Sequence, residues 1–276
     1  MSDNWIVQNL EQALRLWNEK MAEIVSLASM SPKDFRGGAV WTVVEKVHGS
    51  MQAIAYALLV LFFVGGIMKT AGSLAEFRRP EQAVKPFIRF AVSKAIISRS
   101  MELMLSFLDI VSGITGAITA PQGTGVDAAL PAEITESIEA CGFLESIPLW
   151  AVTLISSLLV WVLAFSMVLT VYGRFFRIYL FAAIAPIPLA SFAGEPTQGI
   201  GRSFLKSCAA AGAEGAAILL ACVIFSALAG SPPAVQTDAA PAVMVWSYFG
   251  ELIFNMLILS GAVRMSDRVA REIMGI

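Results

Sequence analysis

Apolar stretches about the length of a membrane-spanning helix recur along the chain. They lie near residues 51–70, 101–120, 147–172, 207–230 and 242–263. Crossing a hydrocarbon core of about 30 Å takes about 20 mostly apolar residues in an α-helix. The second stretch is the weakest, because it carries Glu102 and Asp109. The pattern predicts an all-α, polytopic membrane bundle with about five transmembrane helices.

The N-terminal region has a different pattern, because its apolar residues follow one face of a helix. Between residues 4 and 30 they recur at steps of three and four, at Ile6, Leu10, Ala13, Trp17, Met21, Ile24 and Ala28. Charges occupy the other face, which favours an amphipathic helix at the membrane surface with Trp5 and Trp17 at the interface. An ordinary helix packed against the rest of the chain is the alternative.

The next few residues predict breaks in this region. Ser31 and Pro32 are typical of a new helix start, and Gly37-Gly38 indicates a further break. The first thirty residues lack a basic segment followed by an apolar run, so we expect no cleaved signal peptide.

A further apolar segment, residues 175–193, contains Pro186 and Pro188. Prolines in this arrangement interrupt a helix, and irregular backbone at membrane depth must be buried in protein or line a wet cavity. We therefore expect a re-entrant or interfacial segment that shapes a cytoplasmic vestibule. A kinked helix merely packed against its neighbours is the alternative.

The composition agrees with a membrane protein. Hydrophobic residues make up 57% of the chain and charged residues 14%, against about 25% charged in soluble domains. The mean hydropathy is +0.72. The net charge of −2 is uninformative about partners, whereas the placement of the charges is informative.

The 19 lysines and arginines are distributed unevenly. They lie before the first span, in the 69–99 connection, in the 173–206 segment and in the tail, and none lies in the loops at 121–146 and 231–241. Because cationic loops stay cytoplasmic, the pattern predicts five crossings, with both acidic loops outside. The predicted parts are an external N-terminal region at 1–50, a transmembrane domain at 51–265 and a short cytoplasmic tail at 266–276.

Ionisable and amide side chains inside the predicted spans are candidates for function, because a charge at the bilayer centre costs several kcal/mol. They form three polar stripes, namely Glu214 alone, Glu251 with Asn255, and Arg99 with Glu102 and Asp109. Arg99 and Glu102 are three residues apart, a spacing that allows them to pair on one helix face. The stripes fit a solute or proton pathway, and they equally fit buried pairs that fix helix register.

The fourth span is rich in small residues at helical spacing. They are Ala209, Gly212, Ala213, Gly215, Ala216 and Ala217. Such spacing lets helix backbones approach closely, so we expect this span to be an interface helix through which the chain forms a homo-oligomer.

No motif for covalent chemistry is present in the sequence. It contains no nucleotide-binding loop, no HExxH, no paired Cys/His ligand set and no Gly-x-Ser-x-Gly elbow. Cys141, Cys208, Cys222 and His48 share no ligand spacing and are expected to have packing or surface roles. We therefore expect no cofactor, no metal and no enzymatic activity.

The cytoplasmic arginines are expected to contact anionic lipid, or a passing polyanion such as DNA.

One long segment carries a family resemblance. Residues 173–192, GRFFRIYLFAAIAPIPLASF, lead into 199–206, GIGRSFLK, and then into the Ala/Gly-rich span. This arrangement resembles the TrbL-like polytopic subunits of type IV secretion and conjugation machines, particularly those of mobile elements in Gram-positive bacteria. In that family an arginine-bearing segment and an Ala-Pro stretch precede a glycine and basic residues. The matching positions here are Arg174, Arg177, Pro186, Gly199, Arg202 and Lys206.

The resemblance extends over roughly residues 50–265, although the tail is shorter than in many relatives. It implies an oligomeric channel or platform subunit in the cytoplasmic membrane that passes single-stranded DNA with attached protein. Separate ATPases would drive the transfer, and an extracellular partner would meet loop 121–146. Two other functions remain open: a proton-coupled transporter of a small solute that uses Glu214 and Glu251, and a scaffold that recruits partners through loop 121–146.

Overall fold

A computed structural model of the chain describes residues 4–71, 80–119, 128–228 and 240–276. Within those residues the secondary structure is helical. The α-helices are α1 (Trp5–Ser29), α2 (Ala39–Ala71), α3 (Pro80–Ser98), α4 (Ser100–Thr119), α5 (Ala132–Glu139), α6 (Phe143–Ile184), α7 (Pro186–Ala190), α8 (Gln198–Leu228) and α9 (Pro241–Met274). Five of them, α2, α4, α6, α8 and α9, are long and apolar enough to cross a membrane. The predicted all-α polytopic bundle is confirmed.

Parts of several predictions lie outside the described residues. These parts are 72–79 of the first connection with Arg78 and Arg79, 120–127 at the start of loop 121–146, and 229–239, which includes most of loop 231–241.

The spanning helices are longer than the apolar stretches that predict them. The helix α6 has 42 residues, or roughly 63 Å at 1.5 Å per residue, about twice the thickness of a hydrocarbon core. The hydropathy pattern identifies only the segment of each helix that is apolar enough to lie in lipid. Beyond it, buried contacts of residues such as Phe175 and Ile178 keep the chain helical.

The chain forms two compact units. The first contains Met1–Ser29, Thr115–Tyr172 and Gly215–Ser266, and the second contains Met30–Ile114, Gly173–Glu214 and Asp267–Ile276.

In the first unit, α1 lies beside α6 and runs in the same direction. The rings of Trp5 and Trp150 are 6.3 Å apart, and the amide of Asn9 donates to the hydroxyl of Ser157 at 3.4 Å. Further along, the Lys20 ammonium lies 5.6 Å from the centre of the Phe165 ring.

These contacts advance by 15 residues on each helix, or roughly 22 Å of helix axis. The two helices therefore run side by side over this length, and the predicted apolar face of α1 is buried against the chain itself. The placement of α1 at the membrane surface stays a prediction.

The loop that precedes α6 is also fixed within the first unit. The Asn18 side chain donates to the carbonyl of Ala128 and accepts from its N–H, both at 3.0 Å. The Tyr248 hydroxyl donates to the carbonyl of Ala129. The short helix α5 packs on α1 and buries Ile134 and Ile138.

In the second unit, the segment between α1 and α2 packs against the last turns of α6. The Tyr179 hydroxyl donates to the carbonyl of Pro32 at 3.0 Å, and the Phe35 ring stacks on Phe175 with centroids 4.4 Å apart. No α-helix begins at Ser31, where one was expected. A 3-10 turn over Phe35–Gly38 with positive φ angles at Arg36 and Gly37 precedes α2 instead.

The single histidine joins three segments of the second unit. The Nδ1 atom of His48 lies 2.6 Å from the carbonyl oxygen of Ala182, and its Nε2 atom lies 2.7 Å from the hydroxyl of Ser100. The residue is 3% exposed. The expected packing role of His48 is confirmed.

Pro32 and His48 thus contact the last turns of α6 within the second unit, at Tyr179 and Ala182. The division into an external region at 1–50, a transmembrane domain at 51–265 and a cytoplasmic tail at 266–276 stays a prediction.

The first connection contains a helix that hydropathy did not reveal. The helix α3 packs antiparallel to α2, with the Phe63 ring 5.5 Å from Phe87 and 4.8 Å from Phe90. At the other end of the pair, the Gln52 side chain donates to the carbonyl of Ile97 at 2.8 Å. The basic residues of α3 interrupt its apolar pattern, so hydropathy does not mark it as a helix.

The proline segment divides differently from its prediction. The helix α6 continues through Ile184, so the first half of residues 175–193 is an extension of the third span. The break falls at Ala185, followed by α7 and a 3-10 turn over Ser191–Ala193. Protein covers this irregular backbone, since Pro186, Leu189 and Ala193 are buried. Whether the segment is re-entrant or interfacial stays a prediction.

A close helix approach occurs at Gly212. A Cβ atom at this position would lie 2.8 Å from the ring of Phe107 and 2.8 Å from a methyl of Val111, both on α4. The small-residue stripe of α8 thus allows close packing inside one chain. Self-association through this stripe stays a prediction, and Gly212 itself is already covered.

We predict that Gly212→Ala destabilises the chain, because the added methyl overpacks the contact between α8 and α4, at a cost of about 1–3 kcal/mol. Gly250→Ala is the matched control, because a Cβ there meets nothing within 4 Å and alanine is the better helix former. The measurement is thermal unfolding in detergent. Equal stability of the two variants would contradict the close approach.

Candidate functional site

One arginine joins three of the long helices in the second unit. The Nη1 atom of Arg177 on α6 lies 3.0 Å from a carboxylate oxygen of Glu214 on α8. The same nitrogen donates to the carboxylate of Asp267 on α9. Asp267 in turn accepts from the Nε atom of Arg271 at 3.0 Å. We call Arg174, Arg177, Glu214, Asp267 and Arg271 the arginine cluster.

Burial differs strongly across the arginine cluster. The side chain of Glu214 is 1% exposed, whereas those of Arg177 and Asp267 are 28% and 30% exposed. Arg174 is also 1% exposed, and its guanidinium carbon lies 5.8 Å from the centre of the Phe175 ring. Three arginines and two carboxylates give the cluster a net charge of +1.

Helical spacing explains how the cluster is assembled. Arg174 and Arg177 are three residues apart on α6, so their side chains leave the same face. Asp267 and Arg271 are four apart on α9 and form an ion pair of the type common on helix surfaces. Glu214 lies among small residues on α8, which lets a long arginine side chain reach it.

A small polar cavity lies beside the cluster. Its volume is ≈ 30 Å³, and its lining includes Arg177, Asp267, Arg271 and the hydroxyl-bearing Ser207. A buried water needs roughly 10–15 Å³ of such space together with several polar partners. The cavity therefore suits one or two water molecules in contact with the charged groups.

The structure separates the three predicted polar stripes. Glu214 belongs to the arginine cluster. Glu251 is exposed on α9 and Asn255 is half-buried; within the described part of the chain, Glu251 forms no ion pair. Asp109 pairs with Lys33 at 3.0 Å, and this hydrogen bond, with the negative charge behind it, raises the pKa of Lys33.

The pair that their spacing allows between Arg99 and Glu102 is absent, since no ion pair joins these two described side chains. Arg99 lies at the junction where α3 ends and α4 begins. The three-residue spacing brings side chains together only within one regular helix. Both residues are exposed.

The residues expected to shape a vestibule fall into three groups. Arg174 and Arg177 lie in the arginine cluster, and Pro186 and Pro188 lie in α7. On the first turns of α8, Gly199, Arg202 and Lys206 are exposed, and Lys206 donates to the carbonyl of Gly275 at 3.3 Å.

Two members of the cluster were missed by sequence reasoning. The sequence analysis counts Arg271 only among the basic residues of the tail and does not single out Asp267. Their four-residue spacing on a continuing helix was the available signal.

In the described residues no group of three or more His, Cys, Asp and Glu side chains is placed to hold a metal ion.

Comparison with protein families gives one match. Residues 17–186, more than half of the chain, match the family described as TrbL/VirB6 plasmid conjugal transfer like protein. The chain belongs to this family. The match includes Arg174 and Arg177 but ends at Pro186, so it does not reach Gly199, Arg202 and Lys206, on which part of the resemblance rested. No curated protein and no solved structure matches the chain.

We predict that Arg177→Met lowers the free energy of unfolding by about 3 kcal/mol, because it leaves the buried carboxylate of Glu214 without its hydrogen-bonded partner. Adding Glu214→Gln should restore part of the loss. Arg268→Met is the control, because the Arg268–Glu272 pair on α9 is 79% and 62% exposed and such pairs contribute little. Unfolding of the purified variants in mixed micelles measures the difference.

If Arg177→Met and Arg268→Met proved equally stable, the cluster would not hold the helices together.

Proposed function

We propose that this chain is a channel or platform subunit of a conjugative type IV secretion machine, helping to pass single-stranded DNA with attached protein across the cytoplasmic membrane. The observation that carries the proposal is its membership of the TrbL/VirB6 plasmid conjugal transfer like family, together with five helices suited to span a membrane. The subunit works without catalysis of its own and depends on partner ATPases for energy.

The arginine cluster supports this role by its position and its chemistry. It ties α6, α8 and α9 together just beyond the most apolar part of α6, which ends near Tyr172. We assign it two tasks. It braces the wall of a vestibule through the Arg177–Glu214 pair, and its partly exposed side, with Arg177 and Arg271, gives that wall a positive charge that suits a polyanionic cargo.

The proposed location is a bacterial cytoplasmic membrane, crossed several times, with the N-terminus outside and the C-terminus in the cytoplasm. Three arginines in the last thirteen residues favour a cytoplasmic tail. Copies of the chain form a homo-oligomer, and the external loop meets an extracellular partner. The carboxylates of Glu133, Glu136 and Glu139 on α5 are exposed and available to that partner.

The transporter alternative uses Glu214 and Glu251 as coupling carboxylates. The ion pair with Arg177 gives Glu214 a structural task that this alternative does not need. The scaffold alternative gains from the exposed carboxylates of α5, which suit docking whether or not the chain conducts anything.

We predict that Arg177→Met abolishes plasmid transfer in a mating assay, whereas Arg268→Met leaves transfer unchanged. The Arg177–Glu214 pair braces the proposed vestibule, and the Arg268–Glu272 pair lies on the surface. Both variants are expressed in a strain lacking the wild-type gene, and membrane abundance is measured beside transfer frequency.

Formaldehyde cross-linking during mating tests the cargo directly, because the transferred strand should co-purify with the chain. Full transfer without this subunit, or proton-coupled uptake in vesicles that Glu214→Gln eliminates, would refute the proposal.

We predict opposite sides for the external loop and the tail. In a cysteine-free background, Glu139→Cys should react with an impermeant thiol reagent on intact protoplasts. Ile276→Cys should react only after permeabilisation, because the cationic tail stays inside. The reverse labelling pattern would contradict the proposed orientation.

A further inference from the structure

The outward face of α1 is mostly polar after its first turn, where Trp5 is exposed. Residues with polar side chains recur there at steps of four and three, interrupted by Ala22: Gln8, Gln12, Arg15, Glu19 and Ser26. Gln8 is half-buried and the other four are exposed. The opposite face buries Leu10, Ala13 and Ile24. We call these five residues the α1 polar stripe.

The packing of α1 on α6 fixes the depth of the stripe. The contacts of α1 run from Trp150 to Phe165 of α6, inside the apolar stretch 147–172 that predicts the third span. The stripe therefore lies at the level where the outer surface of α6 meets hydrocarbon.

Lipid does not suit this stripe. A charged side chain facing hydrocarbon costs several kcal/mol, and the stripe carries both Arg15 and Glu19. In the described part of the chain Arg15 pairs with Glu11 at 3.4 Å, and the two side chains are 54% and 37% exposed. The pair therefore leaves much of the Arg15 side chain uncovered within those residues.

The exposed surface of α6 at the same depth is different. Its outward residues Ile155, Leu158, Leu159 and Val162 are apolar and exposed, as expected for contact with lipid tails. The first unit thus carries a lipid-like surface on α6 and a water-like surface on α1. A subunit in a ring around a wet passage needs both surfaces.

We infer that the α1 polar stripe lines a water-filled passage formed between copies of this chain. The inference rests on the proposed function, because the passage exists only in the oligomer. The occupant of the passage is water together with a hydrated cargo. Two arrangements would contradict the inference. In one, a partner protein covers the stripe and excludes water; in the other, α1 lies at the membrane surface.

Cysteine accessibility in native membranes tests the inference. In a background with Cys141, Cys208 and Cys222 replaced, single variants Gln12→Cys, Arg15→Cys, Glu19→Cys and Ser26→Cys are treated with a membrane-impermeant cationic methanethiosulfonate. The controls are Ile155→Cys and Leu159→Cys on the apolar surface of α6. Because only the thiolate reacts, stripe positions in water should react about tenfold faster or more than controls in lipid.

A disulfide confirms the depth in the same membranes. Asn9→Cys with Ser157→Cys should form a cross-link on mild oxidation, since these side chains touch. Stripe cysteines as unreactive as the controls would overturn the inference. So would reactive stripe cysteines without the cross-link, since α1 would then lie at the membrane surface.

Transfer measurements separate this inference from the proposed function. If modification of Arg15→Cys blocks plasmid transfer and modification of Ile155→Cys does not, the passage is the transfer route. If the stripe is reactive and cross-linked but deletion of the gene leaves transfer intact, the proposed function fails and the wet passage still stands.

Discussion

Inside a membrane bundle every charge has to be matched by protein or by water, because hydrocarbon supplies neither counter-charge nor hydrogen bonds. The pair between Arg177 and Glu214 satisfies this constraint with protein. It places a carboxylate that is 1% exposed against an arginine that also reaches Asp267. The helices α6, α8 and α9 are thereby held at one point, which supports the view that the cluster fixes helix register.

The helix α1 satisfies the same constraint in another way. Its buried face is apolar and its outward face is polar, and among the described residues the Arg15 side chain stays 54% exposed. A sequence pattern that suits a surface helix therefore also suits a helix standing beside a span in an oligomer with a wet interior. An amphipathic pattern indicates that a helix faces an apolar environment on one side and water on the other. It does not show whether that water is at the membrane surface or inside a passage through the membrane.

Sequence reasoning recovered the features that depend on one helix at a time. The five spanning helices follow from apolar length, the apolar face of α1 from its periodicity and the close packing at Gly212 from small-residue spacing. Features that depend on contacts between distant segments were lost. Nothing local indicates that Pro32 meets Tyr179, because the two residues lie on segments far apart in the sequence. The helix α3 could not be predicted from hydropathy, because its basic residues interrupt the apolar pattern of the face that packs on α2.

The candidate site shows the same division. The sequence makes Glu214 a candidate because an acid among small residues in a span is unusual, and Arg177 because of its place in a segment that resembles the family. The ion pair between them could not be predicted, because the two residues are 37 positions apart on different helices and no local spacing rule relates them. Asp267 and Arg271 were missed because the apolar part of α9 ends before them. The end of an apolar stretch therefore does not mark the end of the functional part of a helix. In this chain the charged residues that join the helices lie close to the ends of the apolar stretches.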